Sequence, residues 1–252
     1  RLTAFGYQAG KAHVATGNVQ NVFVGNEAGL GNTTGVTNTF IGGSAGGANT
    51  TGSQNVAVGT NALDANTTAS ENVAVGSNAA GSTTTGGNNI AIGMSALAAN
   101  TTGNTNVAIG SYALDANVAG DRNVAVGEEA LSAMNPSGNV DTYNTAIGYN
   151  AGISTTTGVS GTFLGAAAGA GVTTGNRNTF LGHGCGYTTT TGQNNIMIGY
   201  HARASASTTH NELVISGESG VGKGQSTGFI SPGGGGVYQG NNSADWSRTS
   251  DR

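Results

Sequence analysis

The sequence predicts an all-β protein built as a stacked solenoid of about twelve coils. A short apolar motif that ends in glycine recurs along the chain, mostly every seventeen residues, as from Gly25 to Gly42. The composition agrees, because 46 residues are glycine, only 8% are charged and two are proline. Disordered chains are usually rich in charge and proline, so this composition favours a regular repeat.

The motif appears as "NVFVG", "NTFIG", "NVAVG" and close variants, from about residue 2 to residue 204. "LTAFG" is an earlier and imperfect copy. Every spacing is equal except two longer ones, from Gly6 to Gly25 and from Gly127 to Gly148, so the predicted coils are seventeen-residue units. The glycines that anchor the copies are Gly6, Gly25, Gly42, Gly59, Gly76, Gly93, Gly110, Gly127, Gly148, Gly165, Gly182 and Gly199.

The three residues before each anchor glycine predict a short strand. The first is Val, Ile or Thr, the second is Ala, Phe or Met, and the third is large and apolar. β-branched residues suit a strand, and alternate strand residues point to opposite faces. Both faces are therefore apolar. One face can fill the coil interior, but the other needs a partner, and oligomerisation is the simplest way to provide one.

Other columns of the repeat predict turns and small buried positions. Asn precedes the strand in ten of twelve copies, where stacked side chains can bond one another along the axis. Ala stands three positions after the glycine in every copy but one, where Cys185 takes its place as a small buried residue. "NTTG" and "TTTG" stretches form turns. The longer spacer, residues 134–144, is predicted to bulge out as a loop.

These repeats, such as "NVAVGSNAAGSTTTGGNNIAIG", resemble the head repeats of YadA-like trimeric adhesins. The resemblance implies a left-handed parallel β-roll of three chains packed about one axis, and it covers residues 2 to about 204. The chain departs from the commonest adhesin period by an extra Thr/Gly turn in each coil. Variants of that kind also occur in bacteriophage tail fibres.

The C-terminal "SDR" resembles the junction of tail fibres with an endosialidase-type intramolecular chaperone. In that family the chaperone trimerises the fibre and then cuts itself off at a Ser-Asp bond. The resemblance makes Ser250 and Asp251 the candidate autocleavage junction. We expect a β-roll domain over 1–204, a terminal strand and Gly-rich connector over 205–236, and over 237–252 a junction to a chaperone domain beyond the chain.

One stretch, "GESGVGKG" (217–224), looks like a phosphate-binding loop after the strand-like Leu213-Val214-Ile215. A phosphate loop needs Ser or Thr after its lysine, but Gly224 stands there, and the loop must open a helix. The following "QSTGFISPGGGG" opposes a helix. We therefore predict a connector with no nucleotide or other cofactor.

No other motif predicts a catalytic or metal site. The paired carboxylates Glu128 and Glu129 fit a solvated turn better than a glycosidase pair. The four histidines, His13, His183, His201 and His210, lack metal-ligand spacing. Several rings are candidates for stacking on sugars by residue type alone: Tyr112, Tyr143, Tyr149, Tyr187, Tyr200 and Trp246.

The predicted protein is a trimeric tail-fibre segment of a bacteriophage or phage-like particle, and not an enzyme. Its expected partners are two further copies, other tail or baseplate proteins, and a glycan or protein receptor on the host surface. A net charge of -4 without a basic stripe argues against nucleic acid, and no apolar run is long enough to span a membrane.

The expected location is the virion. A bacterial surface adhesin, at the cell surface, is the first alternative. An ice-binding solenoid is the second, although its threonines would lie in turns. An enzyme, either a nucleotide hydrolase or a polysaccharide depolymerase, is the third.

Overall fold

A computed structural model describes residues 1–17, 19–233, 235–240 and 246–248. All regular structure in these residues is β-strand, arranged as a parallel β-solenoid of about 13 coils. The chain divides into two compact units. The first contains Arg1–Glu128 and Asn135–Asp141, and the second contains Glu129–Met134 and Thr142–Arg252. The predicted all-β solenoid is confirmed, and the described residues contain no helix that could cross a bilayer.

The first unit contains ten strands. Eight of them form a parallel ladder in the order β1-β2-β3-β4-β5-β6-β7-β9, while β8 and β10 form a separate parallel pair. The strands are β1 (Leu2–Phe5), β2 (Asn21–Val24), β3 (Thr39–Ile41), β4 (Val56–Val58), β5 (Val73–Val75), β6 (Ile90–Ile92), β7 (Val107–Ile109), β8 (Gly120–Asp121), β9 (Val124–Val126) and β10 (Val140–Asp141).

The second unit contains eight strands. Those from β11 to β16 form a parallel ladder, and β16, β17 and β18 continue it in antiparallel fashion. The strands are β11 (Thr145–Ile147), β12 (Thr162–Leu164), β13 (Thr179–Leu181), β14 (Ile196–Ile198), β15 (Leu213–Ser216), β16 (Gly228–Gly233), β17 (Gly235–Gln239) and β18 (Trp246–Arg248).

The ladder extends past the twelve predicted coils. β15 pairs with β14 in the regular register of the repeat, so that Ser216 occupies the place of the next anchor glycine. Ser216 continues the strand and does not adopt the positive φ of an anchor glycine, so the glycine pattern does not extend to this coil, although the strand-like Leu213-Val214-Ile215 lies in β15. β16 then pairs in parallel with β15 after a shorter interval, with Phe229 beside Val214.

Anchor glycines are required because successive coils approach closely. Gly93 has φ of +133°, and a Cβ placed on it would lie 2.6 Å from the carbonyl oxygen of Gly110 in the next coil. Neither this conformation nor this approach suits a residue with a side chain. The anchor column therefore sets the stacking distance of the coils.

A column of buried asparagines binds consecutive coils together. The N–H of Asn38 donates to Oδ1 of Asn21 (2.7 Å), while Nδ2 of Asn38 donates to the carbonyl oxygen of Gly52 (2.8 Å). The same pair of bonds recurs at later coils, for example at Asn89. Bonding along the axis is present, but most of it joins a side chain to the backbone. Side chains bond one another, as predicted, only in some coils, where for example Nδ2 of Asn123 donates to Oδ1 of Asn106 (3.1 Å). Each side chain therefore pairs with buried backbone groups, which need partners because water does not reach them.

The spacer of residues 134–144 behaves as the predicted loop at its tip. Residues 137–141 are exposed, and β10 returns to pair with β8 in the first unit. An ion pair between Arg122 and Asp141 joins the same two segments. Both side chains are substantially exposed, so the ion pair adds little stability.

Candidate functional site

The outward face of the strands carries an apolar stripe along the solenoid. We define the outer stripe as the residues one and three positions before each anchor glycine. The residue two positions before the anchor glycine is exposed in the first strand, at Ala4, but in every coil from β2 to β14 it points inward and is buried, as Ala91 is in β6. Its neighbours Ile90 and Ile92 remain 37% and 38% exposed. The prediction that both strand faces are apolar is therefore confirmed.

The stripe is present in both units. Its exposed large members are Phe5, Ile41, Ile90, Ile92, Ile147, Leu164, Leu181 and Ile196. The strand pairings set these residues in register, since Ile41 lies beside Val58 and Leu164 lies beside Leu181. A continuous exposed apolar surface of this kind marks an interaction site, whereas isolated apolar residues on a surface do not.

The second unit also carries a group of rings, which we call the ring cluster: Tyr187, Tyr200, His183 and His201, with Arg203 beside them. The rings of His183 and Tyr200 are stacked, with centroids 5.4 Å apart and planes at 13°. His201 lies 4.4 Å from Tyr200 and 5.2 Å from Tyr187, measured between centroids. The guanidinium of Arg203 donates to the Tyr187 hydroxyl (3.4 Å).

The structure thus brings together two of the six rings proposed from residue type. Tyr112, Tyr143 and Tyr149 are also exposed, but Tyr112 and Tyr149 make no ring contact among the described residues. The side chain of Trp246 lies outside the described residues, as do Ser250 and Asp251.

Sequence analysis missed the contribution of His183, His201 and Arg203 to the cluster. A signal was available, because residues one repeat period apart stack in neighbouring coils, and His183 lies one period before Tyr200. Gly184 is a second signal. A Cβ on this residue would lie 2.9 Å from Nε2 of His201, so glycine leaves the space in which the imidazole lies.

The segment 217–224 closes a coil around a buried carboxylate. Glu212 takes the asparagine position of its coil, and its own N–H donates to Oδ1 of Asn195 (2.9 Å). Its carboxylate accepts hydrogen bonds from the N–H groups of Gly224 (2.7 Å) and Ser205 (3.0 Å). In a phosphate loop such N–H groups face the ligand, but here that of Gly224 faces an internal anion. Strand β16, and no helix, follows the segment.

A shallow cavity of about 370 Å³ lies beside this segment, lined by Ser216, Glu218, Ser219, Lys223 and Phe229 among others. The Lys223 ammonium lies 4.6 Å from the centroid of the Phe229 ring. Such a cation–π contact helps to hold the segment on its coil.

Cys185 is fully buried in the alanine column, as predicted. Burial raises the pKa of its thiol to about 12, and the Sγ atom lies 3.1 Å from the carbonyl oxygen of Met197, to which it donates. The thiolate, which is the reactive form of cysteine, is therefore disfavoured.

The remaining polar candidates lie apart. Glu128 is exposed and Glu129 half-buried in the turn after Gly127. Nδ1 of His13 lies 3.0 Å from Nδ2 of Asn32, and Nδ1 of His210 accepts the N–H of Gln193 (3.0 Å). Within the described residues no three His, Cys, Asp or Glu side chains form a group able to hold a metal ion.

Comparison of the chain with protein families, curated proteins and solved structures found no match.

Proposed function

We propose that the chain is a homotrimeric segment of a bacteriophage tail fibre that serves structure and host attachment. The observation that carries the proposal is the outer stripe, an apolar row in each unit that a single chain leaves partly exposed to water. Packing three such faces about one axis would bury the stripe of every chain. Complete burial of an isoleucine side chain contributes about 1.5–3 kcal/mol, so burial of the part still exposed adds a fraction of that at each position, and the stripe offers two apolar positions in most coils.

The handedness and the phage setting rest on the resemblance of the repeats and of the terminal "SDR" to known families. In the proposed fibre the solenoid is a stiff rod that carries a receptor-binding surface away from the particle. Three identical chains would give avidity to weak contacts with the host surface. Other tail or baseplate proteins would join the fibre at its ends, where they cover open strand edges.

Trimer formation is tested by sedimentation of the 252-residue chain, for which we expect three times the single-chain mass of 24.5 kDa. Replacing Ile90 and Ile92 together by Lys should convert trimer to monomer, because six charges would enter the packed faces. Thr102→Lys is the control, since Thr102 is exposed in a turn. A wild-type monomer, or a charged variant that remains trimeric, would refute the proposal.

The phage setting is tested by the intact mass of the full-length gene product after expression. We expect a product that ends at Ser250 and a released C-terminal fragment. An uncleaved chain that continues into heptad repeats would instead make the protein a bacterial adhesin head.

Ice binding is a second candidate function that one observation favours. An exposed threonine recurs once per coil in the first unit, at Thr34, Thr51, Thr68, Thr85 and Thr102. The threonine before each is held in place; for example, the Thr33 hydroxyl donates to the carbonyl oxygen of Thr50 (2.9 Å). Regular hydroxyl rows of this kind can order water. Thermal hysteresis of the free chain would support ice binding, and its absence would remove this candidate.

A further inference from the structure

We propose that the ring cluster of the second unit is a binding site for a carboxylate-bearing saccharide. The inference rests on the proposed role in host attachment, and it names the ligand class and the residues that would bind it. The cluster concentrates exposed rings in a chain in which Phe, Trp and Tyr together make up only 6%.

The rings lie where a ligand can reach them. Tyr200 is 55% exposed, Tyr187 is 37% exposed, and His183 is also exposed. His183 and Tyr200 each follow an anchor glycine in adjacent coils, so stacking of the coils sets their planes nearly parallel. The two rings lie on adjacent coils that a backbone hydrogen bond joins, from the N–H of His201 to the carbonyl oxygen of His183 (3.0 Å), so the fold holds the rings in place.

The fold makes specific room for this arrangement. Residue 184 has φ of +59° and would clash with His201 if it carried a Cβ. The equivalent positions of other coils carry side chains, such as Asn78 and Ser95, at the same positive φ. Glycine at this position lets the His201 imidazole lie against His183, with centroids 5.3 Å apart. His201 in turn fills the space between Tyr187 and Tyr200.

The chemistry of the cluster selects a saccharide. The face of a pyranose presents C–H groups that pack on aromatic rings, while its hydroxyls need donors and acceptors at the ring edges. Tyrosine provides both an apolar face and a polar hydroxyl. The four rings are apolar on their faces, and the tyrosine hydroxyls and imidazole nitrogens supply polar groups at the edges.

Arg203 favours an acidic saccharide over a neutral one. Its guanidinium has five N–H donors in a planar fork, of which one contacts the Tyr187 hydroxyl. Among the described residues Arg203 forms no ion pair, so its charge can meet a ligand. A guanidinium fork binds a carboxylate with two parallel hydrogen bonds. A uronic-acid residue could stack its pyranose ring on Tyr200 and place its carboxylate on the Arg203 guanidinium.

The test measures binding of tetragalacturonate and of neutral maltotetraose to the 252-residue chain by calorimetry and saturation-transfer NMR. We expect tighter binding of the acidic probe, with magnetisation transferred from the rings to its C–H groups. Tyr200→Ala should weaken binding about tenfold, the effect of losing one stacked ring. Arg203→Gln should remove the preference for the acidic probe, because it weakens binding of that probe more than binding of the neutral one.

Tyr149→Ala is the matched control. Tyr149 follows an anchor glycine like Tyr200 and is 56% exposed, but it has no ring contact among the described residues. We expect its loss to leave binding unchanged. Equal loss in the Tyr149 and Tyr200 variants would overturn the proposal, and so would wild-type protein that does not prefer the acidic probe.

Sedimentation of the same samples separates this inference from the proposed function. A trimer that does not bind the acidic probe overturns only the saccharide site. A monomer that binds it through Tyr200 and Arg203 supports the site and overturns the trimeric fibre.

Discussion

Two kinds of coil fill the solenoid interior in opposite ways. In Phe–Gly coils the strand centre is phenylalanine and the residue four positions after the anchor is glycine, as with Phe40 and Gly46. In Ala–Leu coils the strand centre is alanine and the turn supplies leucine, as with Ala91 and Leu97. Phe40, Ala91 and Leu97 are all fully buried. In these coils the interior contains one large side chain, which comes from the strand or from the turn.

The exchange follows from the limited space inside each coil. A Cβ on Gly46 would lie 2.5–2.7 Å from atoms of the Phe40 ring, so phenylalanine excludes any side chain there. Successive phenylalanines also stack, with the centroids of Phe23 and Phe40 5.3 Å apart and their planes at 15°. Such ring pairs add about 0.5–1.5 kcal/mol beyond burial of area.

The two solutions differ in backbone strain. The turn residue has positive φ in both coil types, +59° at Gly46 and +55° at Leu97. Glycine adopts this region freely, but a non-glycine residue there costs on the order of 1 kcal/mol or more. The Ala–Leu coil thus accepts strain in the turn, which burial of leucine offsets.

The largest expected effect is the loss of a phenylalanine from a Phe–Gly coil. Phe40→Ala should lower the free energy of unfolding by about 3–5 kcal/mol, because it leaves a cavity and breaks the ring stack. Chemical denaturation measures the change. Met94→Ala, at an exposed position outside the outer stripe, is the control for the loss of side-chain size alone.

Adding Gly46→Leu to Phe40→Ala converts a Phe–Gly coil into an Ala–Leu coil. We expect the double variant to recover at least half of the loss, whereas Gly46→Leu alone destabilises because its side chain meets the Phe40 ring. The coupling free energy from this double-mutant cycle should exceed about 1 kcal/mol. Additive effects would show that the two positions do not share one space.

A smaller effect tests the strain in the Ala–Leu coil. Leu97→Ala should cost about 2–4 kcal/mol through the cavity that it leaves. Leu97→Gly removes one carbon more, yet we expect it to be no less stable than Leu97→Ala, because glycine relieves the strain at φ of +55°. A glycine variant that is less stable than the alanine variant by about 1 kcal/mol, the size of the expected strain, would contradict this account.

Much of this architecture could be predicted from the sequence. The period located the strands because each coil repeats one set of backbone contacts. Alternation within the strand assigned Ala91 to one face and Ile90 and Ile92 to the other. The exchange of phenylalanine for leucine is also visible in the sequence columns, although only the contacts between Phe40 and Gly46 give its cause.

Other features depend on contacts that no single column contains. The coil that ends at Ser216 lacks the anchor glycine, because Ser216 continues strand β15 and does not adopt the positive φ of the anchor column. The ring cluster depends on Gly184 and on stacking of residues that lie one repeat period apart. The role of Glu212 appears only when segment 217–224 folds over its carboxylate.

The buried asparagine column is common to both coil types, and its loss should cost less than loss of a phenylalanine. Nδ2 of Asn72 donates to the Gly86 carbonyl oxygen (3.0 Å), and its Oδ1 accepts the N–H of Asn89 (2.9 Å). Asn72→Ala leaves two buried backbone groups unpaired, so we expect about 2–3 kcal/mol of destabilisation. Asn26→Ala, at an exposed position, should change stability by less than about 0.5 kcal/mol. Equal losses of stability in the Asn72 and Asn26 variants would show that the buried asparagine column does not stabilise the solenoid.

The smallest expected effect is a gain in stability from a substitution in the turn of one coil, the coil of Ala74 and Ala80. This coil has neither phenylalanine nor leucine at the two interior positions. A second asparagine column runs through the turns, where Nδ2 of Asn66 donates to Oδ1 of Asn49 (2.6 Å). The next member is Thr83. Among the residues that the structure describes, neither its buried hydroxyl nor Oδ1 of Asn66 has a hydrogen-bond partner.

Thr83→Asn should restore the column, because the new amide can donate to Asn66 as Asn66 donates to Asn49. One hydrogen bond and two satisfied buried groups should raise the free energy of unfolding by about 1 kcal/mol. Thr83→Val is the matched comparison, since it removes the unpaired hydroxyl but leaves Asn66 unsatisfied. If the valine variant gains as much as the asparagine variant, relief of the buried hydroxyl, and not continuity of the column, limits this coil.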